Sequence, residues 1–443
     1  MEFVTKVVEC VNTFLWDYAL LILLLGAGII YSFSLKFIQI RKFGAGMKAL
    51  FGNFSLHGGK GENGLSSFQA LTTAIAAQVG TGNIAGAATA IASGGPGSIF
   101  WMWVSAFFGM ATIYAEAVMA QHTRKLENGH YVGGPVYYIK YVFKGRFGKF
   151  LAGFFSVAII LALGFMGNMV QSNSIGAAFN NAFHVPKLAV GICVAVIAGI
   201  IFIGGIKRIA SFTEKIVPIM ALLYIIGCLV ILVMHLPGVG TAFKDIFVGA
   251  FAPQAIAGGA LGVTVQKAMR FGVARGLFSN EAGMGSTPHA HATAEVKDPC
   301  DQGIIAMMGV FIDTFIILTL TALVILSTGV LGNGQTGSEL AQSAFNVGFG
   351  GVAGFIRPVL LPMAEGAIEN KEGTVNEEHL EEVKGLAAAM QNFTWFFFQV
   401  LFVGGAGGIL VQTTLAGLGY EVILIDLASV QFPAALFSLV VSC

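Results

Sequence analysis

The stretch AAQVGTGNIAG (residues 76–86) lies within one of the most apolar parts of the chain. Its glycines and polar residues stand where a continuous membrane helix would carry leucine: Gly80, Thr81, Gly82, Asn83 and Gly86. Glycine weakens a helix, and threonine and asparagine side chains compete for its backbone hydrogen bonds. Scattered glycines in membrane helices commonly serve helix packing, but their alternation with polar residues here predicts a local break.

The composition indicates a polytopic membrane protein. The chain has 443 residues, of which 56% are hydrophobic and 11% are charged, with a mean hydropathy of +0.80. Soluble domains carry roughly 25% charged residues. The apolar runs are continuous rather than alternating, so we expect spanning helices and not a barrel. A net charge of +1 gives no indication of nucleic-acid binding.

About eleven transmembrane helices are predicted, in an all-α fold. They cover residues 12–34, 68–92, 97–120, 150–172, 188–206, 213–235, 253–285, 303–330, 345–366, 392–412 and 419–442. Lysine and arginine concentrate on alternate connections, whereas the connections between these carry only Lys187 and Lys244. By the positive-inside rule the N-terminus is expected outside.

A second interruption falls in the seventh predicted span, in RGLFSNEAGMGSTPHAHATA (residues 275–294). A glycine-interrupted segment in each half of a transporter indicates a central binding site between inverted repeats. Half-helix N-termini suit a carboxylate, and freed carbonyls suit a cation such as sodium. The breaks lie five spans apart, so residues 67–235 and 240–443 are predicted as two repeats, after an N-terminal helix and basic connection over 1–66.

The sequence lacks the motifs of ATP-driven transport and of common enzymes. It contains no GxxxxGK[ST], no HExxH and no CxxC, so neither an enzyme nor an enzymatic cofactor is expected. A channel would need rings of like residues and oligomeric symmetry, and internal repetition argues against it.

Several long motifs in order resemble the alanine/glycine:cation symporter family over about residues 1–330. They are residues 76–117, GGPVYYI (133–139), GNMVQSNS (167–174), GGIKRI (204–209) and residues 275–294. The resemblance implies a multi-pass carrier of a prokaryotic inner (plasma) membrane, importing alanine or glycine with sodium by alternating access. It also implies a leucine-transporter-like fold, a five-plus-five inverted repeat preceded by one extra N-terminal helix.

The resemblance also implies roles for individual residues. The substrate carboxylate would be held by Thr81, Gly82 and Asn83, with Gln171 reaching the substrate and Phe278 closing over its side chain. The main-chain carbonyls of Ala76 and Val79 would supply one half of a sodium site.

The last quarter departs from the family pattern. The family's ninth span carries a hydroxyl pair followed by Gly-Trp and Tyr-Tyr-Gly-Glu. The nearest fragment here is QTTLAGLGYE (residues 412–421), which offers Thr413 and Thr414 as sodium ligands but no following Trp. Residues after about 331 are therefore atypical. A proton-coupled small amino acid carrier and a carrier left inactive by this segment stay open as alternatives.

Other polar residues have more ordinary interpretations. Asp313, in an apolar span, is equally consistent with a ligand network and with helix packing, and less so with proton coupling. Glu116 is expected to pair with Arg124 at the membrane interface. His289 and His291 are expected in a solvated loop.

Overall fold

The computed structural model describes residues 2–15, 19–52, 65–127, 129–183, 185–252, 264–332 and 334–348. These residues are mostly helical, and the strands among them form one short antiparallel hairpin. In chain order the elements are α1 (Glu2–Phe14), α2 (Leu20–Ser34), α3 (Ile38–Arg41), α4 (Phe43–Gly52), α5 (Ser67–Gln78), α6 (Ala87–Gly94), α7 (Ser98–Thr123), β1 (Lys125–Glu127), β2 (His130–Val132), α8 (Pro135–Val142), α9 (Gly145–Ile159), α10 (Asn168–Phe183), α11 (Lys187–Phe202), α12 (Gly205–Met234), α13 (Leu236–Phe251), α14 (Val265–Asn280), α15 (Pro288–Ala292), α16 (Pro299–Val310), α17 (Thr319–Ser327) and α18 (Gly337–Gly348).

Four continuous helical segments in this described part are long and apolar enough to cross a membrane. They are Ser98–Thr123, Gly145–Asn180, Gly205–Met234 and Pro299–Ser327, with α2 and α11 as shorter apolar helices. Each overlaps a predicted span, which confirms a polytopic, helical membrane protein. The spans predicted at 392–412 and 419–442, and all but the first four residues of the span at 345–366, lie outside the described residues, so the count of eleven stays a prediction.

Among the described helices, α7 packs against α2, α13, α14, α15 and α16. Small residues on α14 permit this contact. A methyl group added at Gly272 would lie 2.3 Å from the Ser98 carbonyl oxygen, and one at Gly276 would lie 3.3 Å from Met102 Cα. Close backbone approach through glycine is the usual way in which membrane helices associate.

The first predicted break is present. Helix α5 begins with a capping box in which the Ser66 and Gln69 side chains each accept from the other's backbone amide. It ends at Gln78, because Val79 is extended (φ −80°, ψ 104°). The chain then resumes as a π-helical segment, Gly82–Gly86, and continues into α6.

The second break follows α14. Glu281 adopts a left-handed conformation (φ 55°), and Gly283 and Gly285 also have positive φ, so the helix cannot continue. Downstream, the chain forms a parallel bridge with Leu65, two residues before the start of α5: Leu65 N donates to Thr293 O at 2.9 Å, and Glu295 N donates to Leu65 O at 2.8 Å.

Two long helices also contain π-helical segments. Ile160–Gly167 separates α9 from α10, and Phe311–Leu318 separates α16 from α17. Such π-bulges commonly occur at functional sites, since they re-aim side chains without ending the helix.

Candidate functional site

The two breaks meet at their polar residues. A methyl group added at Gly82 would lie 2.9 Å from Ser279 Cα, so only glycine permits this approach. Across the same contact, Gln78 Nε2 donates to the Asn280 carbonyl oxygen at 2.9 Å. The first interrupted segment therefore packs directly on the end of α14.

The first break leaves the helical hydrogen-bond pattern. In a continuing helix the Gly80 amide would bond to the Ala76 carbonyl. It donates instead to Asn83 Oδ1 at 2.9 Å. The asparagine side chain thus replaces a main-chain acceptor and stabilises the irregular turn.

A carboxylate lies at the centre of the contact. Asp313 has no exposed surface, and Asn83 Nδ2 donates to its Oδ1 at 2.6 Å. Ser279 Oγ lies 3.2 Å from Oδ1 and 3.1 Å from Oδ2, and Thr314 Oγ1 donates to Oδ2 at 2.8 Å. Donors from three separate segments therefore converge on one acidic side chain.

An outer layer of hydrogen bonds supports this cluster. Asn280 Nδ2 donates to Thr314 Oγ1 at 3.3 Å, and the Ala282 amide donates to Asn280 Oδ1 at 3.1 Å. Asn83 Nδ2 also contacts the main-chain oxygen of Asp313 at 3.0 Å. These bonds restrict the side-chain orientations around the carboxylate.

The residues predicted to bind substrate lie on both breaks and on α10. Gly82 and Asn83 are buried, and the Thr81 hydroxyl is shielded from solvent without a hydrogen-bond partner. Gln171 contacts the first break, because a methyl group added at Gly80 would lie 3.1 Å from its Nε2. Phe278, next to Ser279 on α14, is half-buried.

The predicted sodium ligands are only partly within the described residues. Ala76 lies in the last turn of α5 with an exposed side chain, and the buried Val79 follows that helix directly. Thr413 and Thr414 lie outside the described residues.

Sequence reasoning did not assign four of the clustered residues to the site. Asp313 was visible as a carboxylate in an apolar span, and Ser279 and Asn280 belong to the second break motif. Thr314 carries no comparable signal, because a threonine in a membrane helix commonly bonds to its own backbone.

Two ordinary expectations were wrong. Glu116 Oε2 accepts from the Gly283 amide at 3.1 Å, whereas Arg124 donates to the Ala292 and Ala294 carbonyl oxygens. His291 is only 1% exposed and lies 2.8 Å, through Nδ1, from the amide nitrogen of Gln302. Tertiary packing after the second break therefore buries a residue expected in solvent.

Comparisons with known proteins identify the family to which this chain belongs. The sodium:alanine symporter family matches residues 1–423, which extends past the resemblance described above, over about residues 1–330. The sodium/alanine symporter AgcS of Methanococcus maripaludis is 42% identical over 355 residues, 78% of this chain and 76% of that protein.

Two relatives from Bacillus subtilis carry different names. The putative sodium/proton-dependent alanine carrier protein YrbD is 42% identical over 323 residues, 73% of this chain and 64% of that protein. The probable sodium/glutamine symporter GlnT is 40% identical over 365 residues, 81% of this chain and 74% of that protein. With this match and these relatives, the chain belongs to the sodium:alanine symporter family, whose members are transporters and not enzymes.

Proposed function

We propose that this protein imports alanine or glycine together with sodium, by alternating access across a prokaryotic plasma membrane. The observation that carries the proposal is the meeting of two helix breaks, at Gly82 and Ser279, around buried polar groups. Irregular backbone at membrane depth is tolerated where it lines a binding cavity. Membership of the sodium:alanine symporter family supports the same function.

A small zwitterionic substrate fits the polar groups of the first break. Thr81, Gly82 and Asn83 would hold its carboxylate, and Gln171 would contact its polar end. The unpartnered Thr81 hydroxyl and the close approach of Gln171 to Gly80 support these roles. Phe278 would limit the side chain to the size of alanine. One relative is named for alanine and another for glutamine, which has a larger side chain. The restriction of substrate size by Phe278 is therefore the specific claim to test.

Sodium would bind main-chain oxygens of the first break. The Gly80 amide turns to Asn83 Oδ1, which supports a role for the Ala76 carbonyl as a ligand. The Val79 carbonyl would add a second oxygen, and Thr413 and Thr414 would complete the site. A relative named as sodium/proton-dependent makes proton coupling the main alternative.

The proposed architecture is a leucine-transporter-like inverted repeat. Residues 67–235 and 240–443 would form the two repeats, after one extra N-terminal helix with its N-terminus outside. The break between α5 and α6 and the break after α14 support this arrangement, because the two interrupted helices would be the first helices of the two repeats.

Uptake into proteoliposomes tests the proposal. Labelled alanine should accumulate under an inward sodium gradient, and unlabelled glycine should compete while glutamine should not. Equal accumulation in sodium-free buffer with a proton gradient would reassign the coupling ion. Amino acid flux without accumulation under either gradient would indicate a channel, and no flux would indicate an inactive carrier.

A further inference from the structure

The turn between α8 and α9 carries a run of basic and aromatic residues. Residues 140–150, here called the α8–α9 corner, read KYVFKGRFGKF. Every residue of the corner except Gly148 is exposed. Its cations are Lys140, Lys144, Arg146 and Lys149.

The positive charge of the corner is not balanced by nearby acidic residues in the sequence. Between Glu127 and Glu214 the chain contains no aspartate or glutamate. Within the described part of the chain, none of the four cations forms an ion pair, and the Lys144 ammonium lies 5.0 Å from the centroid of the neutral Tyr141 ring. The corner therefore favours an anionic ligand.

The turn itself holds the two helix ends together. Phe143 and Lys144 are extended, and Gly145 has a positive φ (78°), which glycine tolerates best. A methyl group added at Gly148 would overlap the Phe143 carbonyl oxygen, so the first turn of α9 lies directly against the residue that follows α8. The four cations are thus confined to one compact segment.

Aromatic side chains of α9 form an exposed apolar face beside the cations. Phe147, Phe150 and Phe154 are spaced three and four residues apart, so they share one face of the helix. They are 60%, 69% and 63% exposed. Arg146 and Lys149 lie on the adjacent face of the same helix. Exposed aromatic rings next to cations are typical of the membrane–water interface.

The helical segment that begins in the corner is longer than the hydrocarbon core of a bilayer. Gly145–Asn180 is apolar and has 36 residues, or a length of about 54 Å, whereas the hydrocarbon core is about 30 Å thick. Its ends must reach the headgroup layers even when the helix is tilted. In the proposed orientation the corner faces the cytoplasm, so its cations lie at the level of the inner-leaflet phosphates.

We propose that the α8–α9 corner binds the headgroup of an anionic phospholipid of the inner leaflet. Lys144 and Arg146 would donate to the phosphate oxygens, and the acyl chains would cover the aromatic face of α9. Basic clusters directly outside a spanning helix are typical of such lipid sites. A soluble acidic partner would match the cations but would leave the aromatic rings in water. The site is separate from the amino acid site and does not depend on the proposed function.

Lipid bound at the corner should stabilise the packing around the second break. Both helices reach this break, because a methyl group added at Gly285 would lie 2.8 Å from Pro135 Cγ, at the start of α8, and 2.9 Å from Phe155 Cζ, on α9. A ligand that bridges α8 and α9 and binds only the folded protein raises its stability. Binding should therefore appear as a rise in melting temperature.

Lipid titration of the purified full chain in neutral detergent tests the proposal. Native mass spectrometry counts the lipids bound per chain, and thermal melting measures their effect. Phosphatidylglycerol should bind and raise the melting temperature. Phosphatidylcholine with the same acyl chains should bind more weakly, because its headgroup has no net charge. Sodium chloride at about 0.5 M should weaken phosphatidylglycerol binding by screening the cations.

A pair of double variants locates the site. Lys144→Gln/Arg146→Gln should weaken phosphatidylglycerol binding by roughly thirtyfold, as expected for the loss of two cations at a membrane surface. Lys207→Gln/Arg208→Gln removes the same two residue types from another exposed connection and should bind this lipid like wild type.

Three results would overturn the proposal. They are equal binding of the two lipids to wild type, equal affinities of the two double variants for phosphatidylglycerol, and stabilisation by inorganic phosphate that matches that by phosphatidylglycerol. If the corner variant aggregates, the lipid and phosphate comparisons in wild type still decide the question. Absence of alanine uptake would leave these outcomes unchanged, so the lipid site and the proposed function fail separately.

Discussion

The Asn83 side-chain amide donates to the Asp313 carboxylate over 2.6 Å, although the two residues are 230 positions apart in sequence. The same side chain accepts from the Gly80 amide through its oxygen. Asn83 therefore links the irregular backbone of the first break to the buried acid.

Replacing Asn83 by alanine should remove both of these bonds. Leaving the Gly80 amide unsatisfied, and Asp313 Oδ1 with only the Ser279 hydroxyl, should destabilise the protein by about 1–3 kcal/mol, and alanine binding should be lost. Thermal melting and equilibrium binding on purified protein measure the two effects. Asn173→Ala, an exposed asparagine on α10, is the control. Unchanged alanine affinity in Asn83→Ala would remove this residue from the pocket.

Gly80→Ala should weaken alanine binding by displacing Gln171. The added methyl group would lie 3.1 Å from Gln171 Nε2, so the amide must move. Gln171→Ala should weaken binding by itself, and the double variant should lose less affinity than the sum of the single changes. Gly191→Ala, with nothing within 4 Å of the new methyl group, is the control. Additive losses would mean that these two residues act independently.

Gly82→Ala should disrupt the contact between the two breaks. Its methyl group would lie 2.9 Å from Ser279 Cα, a main-chain atom that can move only if α14 shifts. Overpacking of this kind typically costs about 1–3 kcal/mol, so we expect lower thermal stability and loss of uptake. In the same π-helical segment, Gly86→Ala meets its nearest atom at 4.0 Å and should behave as wild type. Equal melting temperatures for the two variants would contradict the predicted contact.

Burial lowers the pKa of His291 to about 4, so its ring is neutral at pH 7. An unfolded histidine has a pKa of about 6.5 and is protonated first as the pH falls. Stability is therefore unaffected above about pH 6.5 and decreases between about 6.5 and 4, by up to about 3 kcal/mol.

Melting temperatures measured across this pH range test the His291 effect. His291→Gln should show a shallower loss of stability on acidification than wild type, and His289→Gln, at an exposed position, should match wild type. A slope unchanged in His291→Gln would assign the acid sensitivity to other groups.

The sequence predicted the breaks because their causes are local. Glycine and hydrogen-bonding side chains at 80–83 disfavour a helix wherever the segment lies, and α5 indeed ends at Gln78. The second break falls within the predicted segment 275–294, beginning at Glu281. The content and spacing of glycine therefore predict the positions of both breaks, even when the neighbouring helices are unknown.

The residues that form the site were harder to predict from the sequence, because they are brought together by contacts between segments far apart in the chain. Asp313 could be recognised as unusual, but its partners come from segments that meet only in the folded chain. Glu116 was paired with Arg124 because they are close in sequence, yet the arginine binds carbonyl oxygens beyond the second break. The buried His291 likewise forms its side-chain hydrogen bond with Gln302, eleven positions away.

The parallel bridge at Leu65 has a mechanical consequence. Its hydrogen bonds to Thr293 and Glu295 join the start of α5 to the chain just beyond the second break. These hydrogen bonds connect the N-terminal end of the first interrupted segment to the residues that follow the second one. A displacement of one segment would therefore move the other, as long as the bonds remain intact. In the proposed alternating-access cycle, a rotation of these segments that opens the site to either side of the membrane would have to occur about the Leu65 bridge or break its two hydrogen bonds.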